Sequence, residues 1–216
     1  MRTWLQESCK YTPAKITKEF PVHHLYVDFQ QVVYPALETL KKKEKKTFKQ
    51  SSSEETKAPE VPNSPLNQNF LNKYYDEIIN YLNLCLEITK PSEYIVICQD
   101  GITPRARLNF NKRKRWYAMV YHGDEYDEYY GIFNYGTEYA AEILKRTEDL
   151  LIDYCKKYPN CQYLMNSGKY FGEADFKIAE YIKANEALLV NRNIAIVSMD
   201  NDLLFLALKS KIQNIC

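Results

Sequence analysis

No apolar run in this 216-residue chain approaches the roughly 18 residues that a membrane span needs. Its opening stretch, MRTWLQESCK, is polar and lacks the apolar core of a secretory signal. The expectation is a soluble, intracellular chain. Charge of one sign is missing too: 29 Lys and Arg stand against 28 Asp and Glu. No overall field therefore advertises a nucleic acid, a membrane or an acidic substrate, and any charge-driven partner must be held by a local patch. None of the six cysteines forms a C-x-x-C pair or has a histidine at zinc-site spacing, which argues against a structural zinc. Glycine is sparse, 6 of 216, whereas tyrosine is in excess, at 19. Coding bias is one origin of that excess, because Lys, Asn, Ile and Tyr are abundant together. Whatever the origin, each tyrosine brings apolar ring area and a polar tip, which suits contact surfaces.

The length fits one domain, 1–216, with a sizeable core. Residues 4–10 can form a helical turn within an amino-terminal arm, 1–20. Residues 24–38 read as a β-rich run containing one buried acid, Asp28. At 41–69 the composition breaks into charge blocks, a serine tract and three prolines, the signature of a disordered linker or irregular insertion. Helical spacing returns over 70–89, with Phe70, Leu71, Tyr74, Ile78, Tyr81 and Leu82 on one face. The run YIVIC at 94–98 is a buried strand ending in Gln99, Asp100 and Gly101. A second helix is expected over 136–158 and a third after Gly172. Residues 193–210 read as a strand, an acidic turn and a helix. Strands alternating with helices predict an α/β domain, a parallel sheet flanked by helices with a site at the carboxyl ends of the strands.

Carboxylates stand at four such edges: Asp28, Asp100, the pair Glu173 and Asp175, and the pair Asp200 and Asp202. A cluster of six repels itself unless neutralised, and hard oxygen donors of that charge suit Mg²⁺ or Mn²⁺ in a two-metal site for phosphodiester cleavage. For any single acid, capping of a helix or turn is the ordinary explanation. For six in this order that explanation weakens.

The segments DGITPRARLNFNKRKRWY (100–117), GTEY (136–139), SGKYFGEADFKIAEYI (167–182) and SMDNDLLFLAL (198–208) resemble the motifs of the XRN-type 5′-to-3′ exoribonucleases. TWLQESCKYTP and LYVDFQQVVYPAL are similar to the opening helix and first metal-binding strand of that family. The resemblance implies Mg or Mn held by Asp28, Asp100, Glu173, Asp175, Asp200 and Asp202. It also implies a pocket for the 5′-terminal phosphate of RNA at Arg107, Asn111, Lys114 and Arg115, where the family usually has lysine for Arg107 and glutamine for Asn111. A solvated helix face is the commoner reading of NKRKR taken alone. Family members continue well past the aspartate-x-aspartate motif with a further metal ligand and elements that hold the strand, so the chain reads as a truncated scaffold.

Size, tyrosine content and near-neutral charge on such a scaffold also resemble a polyhedrin-type occlusion-body protein of a nudivirus. That resemblance implies a structural matrix, inactive as an enzyme and needing no cofactor, that assembles with copies of itself around virions in nuclear occlusion bodies of the infected cell. Arms 1–20 and 41–69 would pack on neighbours. Cys9, Cys161 and Cys216, in polar or terminal segments, become candidates for interchain disulfides, while Cys85 and Cys98, in apolar runs, read as inert core. The alternatives to the matrix are a metal-dependent 5′-to-3′ exoribonuclease and a nucleic-acid-binding remnant of one.

Overall fold

The computed structural model describes residues 21–51, 68–122, 132–198, 202–203 and 215. Four short strands, β1 (His24–Asp28), β2 (Tyr94–Cys98), β3 (Gln162–Asn166) and β4 (Ile194–Val197), form one sheet in the order β3-β2-β1-β4. Every pairing is parallel, as expected from the alternation of strands with helices. Register aligns Asp28 with Cys98 and Cys98 with Asn166, so the carboxyl ends of β1, β2 and β3 finish level. Connections leave β1 toward β2 on one side and reach β4 on the other. That reversal places a crevice beside the end of β1, the position where open α/β sheets bind ligands.

Both faces of the sheet are covered, which is why YIVIC is apolar throughout rather than alternating. Leu25, Val27, Ile95 and Ile97 pack into the larger core, with helices α1 (Gln30–Ser51), α2 (Gln68–Thr89) and α4 (Glu138–Lys157). Tyr26, Val96 and Cys98 point the other way, against α5 (Ala174–Ala184) and the short α6 (Glu186–Leu189). Tyr26, Tyr74 and Tyr75 are buried, so part of the tyrosine excess is core rather than contact surface. The Tyr74 hydroxyl donates to the carbonyl of Val33 at 2.9 Å, tying α2 to α1. Helix α4 starts where expected: Thr137 is its N-cap, accepting the Ala140 N–H at 3.1 Å, and Lys156 and Lys157 lie in its last turn.

Three expectations need correction. Only the first part of 24–38 is a strand; from Gln30 the chain is helical despite the β-branched pair Val32 and Val33 and despite Pro35. The apolar positions 32, 33, 36, 37 and 40 keep a helical period, and all are buried. Helix α1 then continues to Ser51, into the stretch expected to be irregular. Lys, Glu and Gln are good helix formers even where nothing is buried, and Lys43 pairs with Glu77 of α2 at 2.7 Å. Residues 52–67 of that stretch, and the arm 1–20, lie outside the described residues, and 68–69 open α2. Strand β3 was not foreseen, because as an edge strand with polar ends it is only partly buried.

The cysteine reading also shifts. Cys161 is buried in the larger core as a free thiol, so it cannot reach a neighbouring chain without opening the fold. Its pKa is pushed up to about 12, chiefly by burial. Cys98 is buried and Cys85 half-buried, both free thiols. Cys9 and Cys216 lie outside the described residues. Among the described residues no helix is long and apolar enough to cross a membrane.

Candidate active site

Asp28 ends β1 and Asp100 follows β2 by two residues, so adjacent central strands deliver both carboxylates to one edge of the sheet. Asp28 is 5% exposed and accepts the Gln30 N–H at 3.1 Å, where α1 begins. Burial raises its pKa to about 7; the negative charges of Asp100 and Asp175 add to the rise, and the backbone N–H groups of Gln30 and Gln31 oppose it. Asp100 accepts the Ala174 N–H at 2.8 Å, at the start of α5. Its pKa is also raised by burial, with Asp175 adding and the Ala174 hydrogen bond, Lys177 and Arg107 pulling it down.

Helix α5 carries the second pair of acids into the same neighbourhood. Glu173 is its N-cap residue, and Asp175 lies in its first turn and accepts the Phe176 N–H at 2.6 Å. The Glu173 carboxylate is gripped by Arg107 Nε at 2.8 Å, from helix α3 (Arg105–His122). The expected metal ligand and the expected phosphate ligand are thus partnered with one another here. Burial still leaves the pKa of Glu173 raised, against the lowering effect of Arg107.

Arg107, Asn111, Lys114 and Arg115 all fall within α3 at helical spacing. Arg107 and Asn111 lie in its first two turns; the side chains of Lys114 and Arg115 are outside the described set. Asp202 is helical and exposed, and Asp200 lies outside the described residues.

Two polar side chains that the motif reading passed over hold the edge together. Lys177 of α5 is 5% exposed, and its Nζ donates to the carbonyls of Gln99 at 2.8 Å and Ser167 at 3.1 Å. Gln99, also buried, accepts the Gly168 N–H at 2.9 Å through its side-chain oxygen. The signal for Lys177 was in GEADFK, two residues beyond Asp175, but a lysine in a helix reads as solvated until it is seen buried. The 100–102 turn is laced to the loop before α5 by Gly101 N–H to Gly172 O at 2.9 Å and Gly172 N–H to Ile102 O at 3.0 Å. A Cβ on Gly101 would run into the backbone carbonyl of Tyr170 and stand 2.9 Å from that of Gly168. Gly101→Ala is expected to destabilise the fold by about 2 kcal/mol or more, read as a fall in melting temperature of several degrees; an unchanged melt would refute this close approach.

Among the described residues no three Asp, Glu, His or Cys side chains are grouped so as to hold a metal ion. The donor chemistry nonetheless fits a hard cation. Asp28 and Asp100 are oxygen donors whose burial disfavours their negative charge, a penalty that a divalent ion would relieve. Mg²⁺ is commonly held by only one or two carboxylates, with water and substrate phosphate completing its shell.

A parallel α/β sheet with acidic residues at its carboxyl edge and a cationic helix alongside defines the class: an open α/β domain with its candidate site at the strand ends. The family described as XRN 5′-3′ exonuclease N-terminus matches residues 1–216, and the chain belongs to it. It is 24% identical over 160 residues to human 5′-3′ exoribonuclease 1, an alignment that takes in 64% of this chain and 9% of that protein. The chain therefore spans about a tenth of the length of that relative.

Proposed function

We propose that this chain acts as a divalent-metal-dependent 5′-to-3′ exoribonuclease, gripping the 5′-monophosphate of single-stranded RNA. The delivery of Asp28 and Asp100 from neighbouring strand ends to one edge of the sheet, where burial raises the pKa of both, carries the reading. Membership of the XRN amino-terminal family supports it. Asp28 and Asp100 would hold a Mg²⁺ or Mn²⁺ ion, with Asp175 nearby. When bound, such an ion supplies stabilisation of negative charge on a phosphate oxygen.

The chain's own groups do the rest. Arg107 meets Glu173 through Nε, so its two terminal amino groups would meet phosphate oxygens in the paired geometry that guanidinium favours. Asn111, one turn on, would add an amide donor. Lys177 holds the Gln99 and Ser167 carbonyls still, fixing the backbone on which Asp100 sits.

The matrix reading, with copies of this chain and virions as partners in nuclear occlusion bodies, rests on composition. Cys161, one of its candidate cross-links, is buried in the core, and α1 runs to Ser51, into the segment expected to be an arm. The functional test is hydrolysis of 5′-monophosphorylated RNA with Mg²⁺ or Mn²⁺. Expected are mononucleotides released from the 5′ end, slower release from 5′-hydroxyl RNA, and an Arg107→Ala variant that loses this preference. No hydrolysis with either ion, in a protein that instead forms regular particles, would favour the matrix.

A further inference from the structure

Large aromatic side chains are normally where a domain hides its area, yet three stand in water beside this acidic edge. Tyr170 is 63% exposed, Phe171 67% and Phe176 53%. They do not lie on a loose tail. The Tyr170 N–H donates to Ser167 O at 3.2 Å, and Ser167 O is itself held by Lys177 Nζ. The Tyr170 carbonyl abuts Gly101, the residue after Asp100. Gly172, at φ +105°, is bonded on both sides to the 101–102 turn and lies against the Phe176 ring. The three rings thus rise from a braced loop and the first turn of α5, next to Asp100.

Cations flank them. Lys169 precedes Tyr170 and is exposed; Arg107 reaches Glu173 between Gly172 and Phe176 in sequence, and its guanidinium also lies over the Phe110 ring, 5.7 Å from the centroid. Exposed rings interleaved with Lys and Arg are the makings of a single-strand binding surface, because every base offers a π-face and every nucleotide a phosphate. An apolar helix would match the rings but not the cations, and a lipid surface would match both but be repelled by the adjoining carboxylates.

We infer that Tyr170, Phe171 and Phe176 form a stacking platform for the bases of single-stranded nucleic acid as it approaches the acidic edge. This rests on the nuclease reading for its direction but not for its test. Binding of a short fluorescent 5′-phosphorylated RNA is measured by anisotropy in EDTA, where no cleavage is needed. An abasic strand with the same number of phosphates serves as the base-free probe.

The full chain is compared with Tyr170→Ala/Phe171→Ala, Phe176→Ala and Phe171→Trp. The double variant is expected to bind the RNA at least about tenfold more weakly and the abasic strand within about twofold of the parent protein; Phe176→Ala should lose a smaller factor in the same pattern, and Phe171→Trp should hold or gain affinity. Equal losses on both strands would assign the rings a structural role, and unchanged RNA binding would assign them to another partner; either overturns the platform. Failure of the nuclease reading shows elsewhere, as absent hydrolysis with intact base-dependent binding.

Discussion

Asp28→Asn is expected to abolish hydrolysis of 5′-phosphorylated RNA, lowering the rate by three orders of magnitude or more on the scale of removing a catalytic carboxylate, while making the protein more stable at pH 8. The two effects have one cause. In an unfolded chain Asp28 titrates near the ordinary aspartate value, whereas in the fold burial and the charges of Asp100 and Asp175 raise it to about 7. Between those values the folded state keeps a proton that the unfolded state has released, so stability falls by about 1.4 kcal/mol for each unit of pH. Above pH 7 both states are ionised and the loss levels off, on the order of 4 kcal/mol. The amide keeps an oxygen for the Gln30 N–H but carries no charge, so the gain over the parent should be present at pH 8 and absent near pH 4. Melting curves at the two pH values check it; a variant less stable at pH 8 would show that the Asp28 charge is compensated.

Lys177→Met is expected to give the largest loss of stability. The substitution keeps the length of the side chain in its buried position and removes the donor between two carbonyls. Gln99 O and Ser167 O, which Lys177 Nζ serves at 2.8 and 3.1 Å, would lose that bond, and Asp100 would lose a nearby positive charge. Unsatisfied buried polar groups of this kind cost about 1–3 kcal/mol each, so a fall of roughly 5–15 °C in melting temperature follows for a domain of this size. Lys177→Met melting with the parent protein would mean that the edge is held without this crosslink.

Much of the frame was legible because both-face burial writes itself into a strand as an unbroken apolar run. YIVIC was assigned for that reason, and the acid following it was placed at the sheet edge. Tyr74, Ile78 and Leu82 were assigned to a buried helix face by their spacing, and the structure buries all three. Asp28 and Asp100 were linked by their places at strand ends and by motif order, and the parallel register, which sets Asp28 opposite Cys98, brings Asp100 just beyond it. What escaped was information carried by neighbours rather than by the residue. Val32 and Val33 look like strand until the period through Leu40 is counted. β3 has too little burial to imprint a pattern. The charged length of α1 resembles a linker because its helix needs no core of its own. Lys177 and Gln99 resemble surface residues, since only the fold brings the Gln99 and Ser167 carbonyls to Lys177 and the Gly168 N–H to the Gln99 side chain. Arg107 and Glu173 were each assigned a ligand, and only the geometry pairs them at 2.8 Å.

The central claim is that the edge formed by Asp28 and Asp100 is a divalent-cation site. Its most direct test is titration of the full chain with Mn²⁺ at pH 8, the free ion being followed by its paramagnetic resonance signal, alongside an Asp28→Asn/Asp100→Asn variant. The predicted result is a saturable site in the parent protein that the variant binds at least about tenfold more weakly, the loss of a charged ligand being worth more than about 1.4 kcal/mol. Equal Mn²⁺ binding by the two proteins, or none by the parent, would contradict it.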